Sequence, residues 1–185
     1  MRFPGLLLLC TALLPACAST EPPPRAVGPS HLERAREALQ QERLEAAEAE
    51  VLLALQVEPR SAAAHGLYAS LLARQGRFEQ AIVGYERSLS FDPTRWDVLY
   101  NLGTLHLRKG DALRAARCLE RAVELRADHP GSFNNLAKAY YQLGLPELAG
   151  AAYEEALSID SDNQIARENL ELLRRSAAAS GRSGS

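Results

Sequence analysis

The chain is periodic: residues 62–95, 96–129 and 130–163 carry the same pattern of small and apolar residues, position by position. Within residues 96–129, two helical patterns flank the tripeptide Lys109-Gly110-Asp111, and apolar or small residues recur in each pattern at helical spacing. When residue 96 is counted as position 1, positions 8, 20 and 27 are small in these units and in the one before them. They are Ala35, Ala69, Gly103 and Ala137 at position 8, Ala47, Ala81, Ala115 and Ala149 at position 20, and Ala54, Ser88, Ala122 and Ala156 at position 27. Small residues at fixed points let helices approach closely, so the sequence predicts a stack of similar helical hairpins.

This helix-turn-helix pattern resembles the tetratricopeptide repeat. The resemblance rests on Leu102, Gly103, Ala115, Leu119 and Ala122 in the third unit, on Gly76, Phe78, Ala81, Tyr85, Asp92 and Pro93 in the second, and on Asn135, Leu136, Ala137, Tyr140, Gly144, Ala149, Tyr153 and Ala156 in the fourth. It implies an all-α fold, a right-handed α-α superhelix of four repeats at residues 28–61, 62–95, 96–129 and 130–163. We expect Gly110 to end the first helix of its unit with a positive φ.

The two ends of the array differ from its middle. The first unit is rich in Glu and Arg and carries Glu42 where the other units carry Gly, which suits a terminal repeat with a solvated outer face. Residues 164–175 predict a capping helix, with Ile165, Leu170 and Leu173 on one apolar face. Residues 176–185 offer nothing to bury, so we expect disorder there.

Residues 1–17 have the pattern of a secretory signal: one Arg, a short apolar run and then small residues. Two processing routes fit. The sequence before Cys17 resembles a bacterial lipobox, in which Cys17 is lipidated, whereas Ala16-Cys17-Ala18 fits ordinary cleavage after Ala18. An uncleaved anchor is the third alternative. The Pro-rich residues 18–29 resemble the tether of a lipoprotein, and Ala18 after the cysteine favours the outer membrane in the well-studied envelopes.

No chemistry of catalysis is evident. The sequence contains no HExxH, GxSxG or phosphate-binding glycine motif, and the acidic segment at residues 160–163 has no EF-hand glycine or terminal glutamate. We therefore expect no enzyme activity, no cofactor and no metal. The formal net charge of −2 with scattered signs gives no basic stripe for nucleic acid. Cys118 is expected to be a small buried hydrophobe, because the sequence shows no feature that would activate a thiol.

The predicted function lies on the concave surface. In the family this surface is lined by positions 2, 5, 6, 9, 12 and 13 of each first helix. The resemblance places a peptide ligand against Tyr100, Asn101, Arg108, Asn134, Asn135, Lys138 and Tyr141, with Asn169 on the closing helix. Family members that clamp a chaperone's carboxylate tail carry Lys at position 5 and Asn at position 9. This chain has Leu32, Gly66, Tyr100 and Asn134 at position 5, so that clamp is not expected.

Asparagine recurs at position 6 of successive units, as Asn101, Asn135 and, on the closing helix, Asn169. An asparagine can donate to and accept from a peptide backbone. Adjacent helices lie about 8–10 Å apart and an extended chain rises roughly 3.3 Å per residue, so one asparagine would meet about every third peptide residue. Some tetratricopeptide proteins carry such a ladder. The alternative is that these asparagines bond the scaffold. His129, in a turn between repeats, is expected to tolerate alanine.

The resemblance implies a protein–protein interaction module. The leader sequence predicts a location in the cell envelope. Leader and repeats together are weakly similar to the lipoproteins that help pilus or secretion pores to assemble. We therefore expect an envelope scaffold that binds a peptide or partner protein in its groove, anchored to the membrane through Cys17. The alternative is an adaptor that recruits envelope enzymes such as cell-wall hydrolases.

Overall fold

A computed structural model describes residues 30–182 of the chain, with side chains through residue 176. This part is a succession of α-helices without a strand. The helices are α1 (His31–Gln40), α2 (Leu44–Val57), α3 (Ala62–Arg74), α4 (Phe78–Phe91), α5 (Trp96–Arg108), α6 (Ala112–Leu125), α7 (Pro130–Gln142), α8 (Pro146–Ile159) and α9 (Gln164–Arg182). The leader, Cys17 and the tether lie outside the described residues. None of the described helices is long and apolar enough to cross a membrane.

The helix starts follow the sequence period. From α3 to α9 every first helix begins at position 1 of its unit, and from α2 to α8 every second helix begins at position 17. All twelve small positions of the sequence pattern are buried. A Cβ added to Gly103 on α5 would lie 2.7 Å from Leu119 Cγ on α6, so the two helices approach as closely as the pattern predicts. Close contact at repeated points fixes the packing of every hairpin in the same way.

Each hairpin turn contains one residue with a left-handed backbone conformation. Gly76, Gly110 and Gly144 have φ values of 77°, 78° and 74°, so the prediction for Gly110 is confirmed. A Cβ is disfavoured in this region, which explains the glycine at position 15 of three units. In the first unit Glu42 adopts φ 57° at the same position, so the turn is formed there with a strained residue.

The first helices form an inner layer and the second helices an outer one. Each first helix packs on the second helix of its own unit, and successive hairpins pack through α2–α3, α4–α5, α6–α7 and α8–α9. The first helices of neighbouring units also touch, as α1 does with α3 and α5 with α7. In the described part of the chain, no two second helices pack against each other as extensively as these first helices do. The stack therefore curves with its first helices inside.

The core is divided into small clusters along the stack. One cluster joins α3, α4 and α5 around Tyr85, and another joins α7, α8 and α9 around Tyr153. Each cluster links neighbouring helices, as expected for a repeat protein whose units contact their neighbours. The groove therefore rests on a continuous scaffold from α1 to α9.

Both ends correct the sequence analysis. Helix α1 begins at His31, inside its predicted repeat and not at the first position, because Ser30 and Glu33 form a capping box there. The closing helix continues to Arg182, beyond the end predicted for it at residue 175. Alanine has the highest helix propensity, and the segment after Arg175 contains three consecutive alanines and no proline. These features allow the helix to continue beyond its packed face.

Candidate peptide-binding groove

The asparagines at position 6 have three different environments. Asn101 is half-buried, and its side chain makes no hydrogen bond with the described residues. Asn135 Nδ2 donates to Thr104 Oγ1 over 2.9 Å, and the Thr104 hydroxyl donates in turn to the Tyr100 carbonyl. Asn169 Nδ2 donates to Ile165 O in its own helix at 2.8 Å. Asn101 is thus free to bind a ligand, Asn135 keeps its oxygen as an acceptor, and Asn169 has one donor engaged.

Asn134 does not lie where a ligand would meet it. Its side chain is 6% exposed, and Nδ2 donates to Asn163 Oδ1 over 3.1 Å. Asn163 Oδ1 also accepts from the backbone of Ala166 and so caps α9. The prediction of a peptide contact at Asn134 is therefore corrected: position 5 of this unit faces the junction of α7 with α9, and Asn134 joins the two helices.

An aromatic cluster occupies the step from the third repeat to the fourth. The His129 ring lies 5.1 Å from the ring of Trp96 and 5.0 Å from that of Tyr100, between ring centres. Arg126 stacks on the Trp96 ring at 4.3 Å. Tyr100, predicted to contact peptide, is half-buried, and its edge-to-face contact with His129 leaves only part of the ring for a ligand.

His129 also caps α7, which the sequence analysis missed. Its Nδ1 accepts from the backbone N–H of Ser132 and lies 2.8 Å from the Ser132 hydroxyl. Burial and the nearby Arg126 lower the pKa of His129, which keeps the ring neutral and able to accept. This role differs from that of a turn residue that tolerates substitution by alanine, which the sequence predicts at residue 129. The proline at residue 130, which starts the helix, was the available signal that residue 129 occupies the cap position.

Lys138 and Arg108 are among the cations of the inner layer that have no carboxylate partner in the described part of the chain. Lys138 on α7 is exposed and makes no ion pair there. The Arg108 guanidinium, also exposed, stacks on the Phe78 ring of the preceding repeat at 4.3 Å. That stacking orients Arg108 without neutralising it.

The one acidic side chain on α3, α5 and α7 is already paired. Asp97 accepts two hydrogen bonds from Arg95, of 2.8 and 2.6 Å. Burial raises the pKa of Asp97, but the contacts with Arg95 outweigh it and the net shift is downward, so the pair stays ionised. The second helices α4, α6 and α8 instead carry seven glutamates (Glu79, Glu86, Glu120, Glu124, Glu147, Glu154 and Glu155) and four arginines (Arg87, Arg114, Arg117 and Arg121). Helices α4, α6 and α8 are thus net negative, whereas α3, α5 and α7, with three cations and Asp97, are net positive.

Tyr141 marks the carboxyl-terminal end of the groove. Its side chain is 58% exposed and borders a cavity of about 130 Å³ between α7, α8 and α9. Tyr153, Asn169, Leu172 and Leu173 complete the lining. This end of the groove is therefore apolar with a polar edge, whereas the middle is polar and cationic.

Cys118 and the potential metal ligands were candidate reactive groups within the described residues. The Cys118 thiol is half-buried, and burial raises its pKa to about 11, which disfavours the nucleophilic thiolate. Within residues 30–176, no three His, Cys, Asp or Glu side chains are grouped so that they could hold a metal ion.

Comparison with known proteins identifies the repeat. Family models described as tetratricopeptide repeats match residues 69–110 and 100–164, which together cover just over half of the chain. The Hsp70-Hsp90 organizing protein of Triticum aestivum is 34% identical over 109 residues, which cover 56% of this chain and 18% of that protein. The chain spans less than a fifth of this relative and of others that match comparably well.

Two solved structures show the same architecture. Pseudomonas aeruginosa pilF superposes with a TM-score of 0.74 at 22% identity, over 80% of this chain and 68% of that one. The first tetratricopeptide domain of Spaghetti (RPAP3), bound to an HSP90 peptide, superposes with a TM-score of 0.62 at 21% identity, over 64% of this chain and 94% of that one. They confirm the predicted all-α superhelix. With its regularly repeated helix starts, its buried small positions and these matches, the chain belongs to the tetratricopeptide repeat family.

Proposed function

We propose that this protein is a non-catalytic interaction module that binds an extended, acidic segment of a partner protein in the groove formed by α3, α5, α7 and α9. One observation carries the proposal: α3, α5 and α7 are net positive and present Arg108 and Lys138 without carboxylate partners in the described part of the chain, while the outer helices α4, α6 and α8 are net negative. Such a distribution attracts an anionic segment to the groove and repels it from the back.

The position-6 asparagines supply contacts to the peptide backbone. Asn101 is free to donate and accept, and Asn135 keeps its oxygen for a peptide N–H while its amide donates to Thr104. Because α5 and α7 touch along the inner layer, Asn101 and Asn135 lie one repeat apart on the path of a bound chain. Backbone contacts of this kind give affinity, and Arg108 and Lys138 select for acidic residues.

The relatives support peptide recognition as the mode of binding, since the RPAP3 domain is described as bound to an HSP90 peptide. The residues at position 5 here are Leu32, Gly66, Tyr100 and Asn134, none of which supplies the cation of the chaperone-tail clamp. We therefore expect the acidic segment to come from a protein other than a chaperone with such a carboxylate tail.

The groove is tested by the double variant Asn101→Ala with Asn135→Ala. Each lost contact costs about 1 kcal/mol, so affinity for the partner should fall roughly tenfold or more while the helical fold remains. Thr104→Val is the matched control, because it removes the hydroxyl that pairs with Asn135 but keeps both asparagines. Normal binding by the double variant, or its unfolding, would show that the asparagines serve the scaffold.

We further propose that the module works in a bacterial cell envelope, anchored in the outer membrane through lipidated Cys17 and facing the periplasm. The leader pattern and the Pro-rich residues 18–29 support this location. A diacyl chain together with an amide-linked acyl chain holds a protein far more firmly than one myristoyl chain. Cys17→Ser should release the protein or leave its leader uncleaved, and unchanged fractionation and lipid labelling would refute the anchor.

In that location the module would support assembly of an envelope complex such as a pilus or secretion pore. Crosslinking in intact membranes, followed by identification of the attached protein, tests this role. A subunit of a pore or pilus would support it, whereas a cell-wall hydrolase would show that the protein recruits envelope enzymes instead.

A further inference from the structure

The exposed face of α4 carries a large apolar residue at its centre. Val83 is 63% exposed, and beside it a groove of about 490 Å³ lies between α2 and α4. Leu55, Tyr68 and Leu72 give the lining of this groove an apolar character. Because no part of the described chain covers Val83, this surface is suited to contact with another protein.

Neither feature recurs along the outer layer. One repeat further on, the cavity between α4 and α6 is lined by charged and titratable side chains, among them His106, Asp111 and Arg114. Val83 stands at position 22 of its repeat. The residues at position 22 of the other repeats are Ala49, Arg117 and Ala151. Among α2, α4, α6 and α8, only α4 therefore has a large apolar side chain at this central point.

The polar residues around Val83 complement those of a second copy of the same helix. Glu79 and Gln80 lie one turn before Val83, and both are exposed. Glu86 and Arg87 lie one turn after it and are also exposed. When two α4 helices pack antiparallel about a twofold axis at Val83, residue 79 of one copy is level with residue 87 of the other, because each is four residues from the axis. Glu79 then meets the opposite charge of Arg87 at both ends of the contact, whereas a parallel pair would place each charge against its own copy.

The side chains that this contact requires are available. Glu86 and Arg87 make no side-chain hydrogen bond or ion pair in the described part of the chain. Glu79 accepts from Lys109 over 3.0 Å through one carboxylate oxygen, which leaves the other oxygen for Arg87 of the second copy. Gln80 accepts one hydrogen bond through its carbonyl oxygen, and its amide can donate to Glu86 of the second copy, which lies level with it.

The other outer helices lack this complementarity. The same twofold axis at position 22 of α6 would place Arg117 against Arg117 of the second copy. On α8 it would place Glu147 level with Glu155, and on α2 it would place Glu45 level with Leu53. Like charges in contact disfavour association, so α4 is the second helix that favours a second copy.

We propose that α4 is a self-association surface, through which two copies of this chain form an antiparallel twofold dimer with Val83 at the axis and the groove between α2 and α4 covered by the second copy. Such a contact uses the same face of both copies and therefore closes at two. Because the outer surface is convex, only α4 and its surroundings meet, and a contact of this size gives a weak dimer.

Self-association on the outer face goes beyond the proposed function and does not depend on it. The first helices lie on the opposite side of the stack, so both peptide-binding grooves of the dimer stay open. The dimer binds two segments of one partner assembly at once and gains avidity from the second.

Sedimentation equilibrium of the chain from residue 18 onward, which contains every described helix, measures this association. The mean mass should rise toward that of two chains, and not beyond it, as the concentration approaches about 0.5 mM. Val83→Asp places two carboxylates at the axis and should raise the dissociation constant of the dimer about tenfold or more. Its Tm should change little, because Val83 is exposed.

Charge reversal gives a crossed result that only a twofold contact through α4 produces. Glu79→Arg and Arg87→Glu should each weaken association about tenfold when present alone, because like charges then meet at both ends. An equimolar mixture of the two variants should associate at least as well as the wild type, since opposite charges meet again. Glu147→Arg and Arg121→Glu are the matched controls. They make the same changes at the same repeat positions of α8 and α6, and alone or mixed they should associate as the wild type does.

A disulfide tests the position of the axis. The chain from residue 18 onward contains Cys118 as its one cysteine, so Cys118→Ser provides a background without thiols. In that background Val83→Cys should form a covalent dimer under mild oxidation, because the axis brings residue 83 of both copies together. Ala151→Cys, exposed at position 22 of α8, should form it at least tenfold more slowly.

The inference is overturned if the chain remains monomeric at about 0.5 mM, if Val83→Asp associates as the wild type does, or if the mixture of charge-reversed variants associates no better than each variant alone. None of these results would touch the proposed groove, which is tested separately by Asn101→Ala with Asn135→Ala and the natural partner. That double variant should dimerise normally, and Val83→Asp should bind the partner segment with unchanged affinity for each groove.

Discussion

A side chain on Gly103 would meet both the side chain and the backbone of the facing helix. Besides Leu119 Cγ at 2.7 Å, an added Cβ would lie 3.2 Å from the carbonyl oxygen of Ala115. Gly103→Leu should therefore overpack the α5–α6 pair and lower the free energy of unfolding by about 1–3 kcal/mol or more. Thermal or denaturant unfolding measures this change, and an unchanged midpoint would contradict the packing of the repeat.

Gly150 is the matched control for Gly103. It lies inside α8, and the nearest atom to an added Cβ is Leu170 Cδ1 at 3.9 Å, an ordinary contact. Gly150→Ala should raise the free energy of unfolding by about 0.5–1 kcal/mol, because alanine is the better helix former. Opposite signs for Gly103→Leu and Gly150→Ala would show that close approach, and not glycine itself, is what Gly103 provides.

His129 makes the stability depend on pH. Its pKa in the folded protein is lowered, mainly by burial, so the unfolded chain binds the proton more tightly. The stability it contributes is therefore complete above the ordinary histidine pKa of about 6.5 and is lost as the pH falls below it. His106, 4% exposed and with its pKa lowered by burial, acts in the same direction. We expect the unfolding free energy to decrease between about pH 7 and pH 5.

Substitution at His129 separates its share of this dependence. His129→Ala should cost about 1 kcal/mol at neutral pH through loss of the helix cap. His129→Asn keeps an acceptor at the cap but does not titrate, so it should recover much of that loss and flatten the pH dependence, leaving the share of His106. Equal pH profiles for the wild type and His129→Asn would contradict the assigned role.

At the scale of elements, α9 closes the stack. It covers Tyr153 and Ala156 of α8 with Ala166 and Leu170, which are buried against them. A chain that ends at residue 163 should expose this apolar surface, lower the midpoint of thermal unfolding and self-associate in sedimentation experiments. A chain that ends at residue 176 keeps every described contact of the cluster and should melt like the full chain. Equal midpoints for all three chains would show that α9 is dispensable.

The helices themselves could be predicted from the sequence because the period, the small residues and the turn glycines all indicate the same hairpin. The end of α9 could not, since the alanines after Arg175 form helix through intrinsic propensity, without an apolar pattern. The groove was predicted in outline from family positions. The sequence could not show which of its residues point into the groove, because that depends on hydrogen-bond partners distant in sequence. Asn134, for example, is buried by its hydrogen bond to Asn163, which follows α8 in the chain.

At the scale of the whole molecule, helices α3, α5 and α7 differ in net charge from helices α4, α6 and α8, and the proposed function places the partner on the former. The inner layer carries Arg108 and Lys138 without carboxylate partners in the described part of the chain. The outer helix α6 offers two exposed arginines for comparison, Arg117 and Arg121. Reversing the charge of either pair changes the net charge equally, so only the location of the change differs between the two variants.

The most direct test of the account is therefore the affinity for the crosslinked partner, measured at two salt concentrations for both charge reversals. Arg108→Glu with Lys138→Glu should weaken binding tenfold or more and reduce its dependence on salt, because the electrostatic attraction acts at the groove. Arg117→Glu with Arg121→Glu should bind as the wild type does. If the groove pair binds normally and the α6 pair loses the partner, the partner docks on the outer face and the account is contradicted.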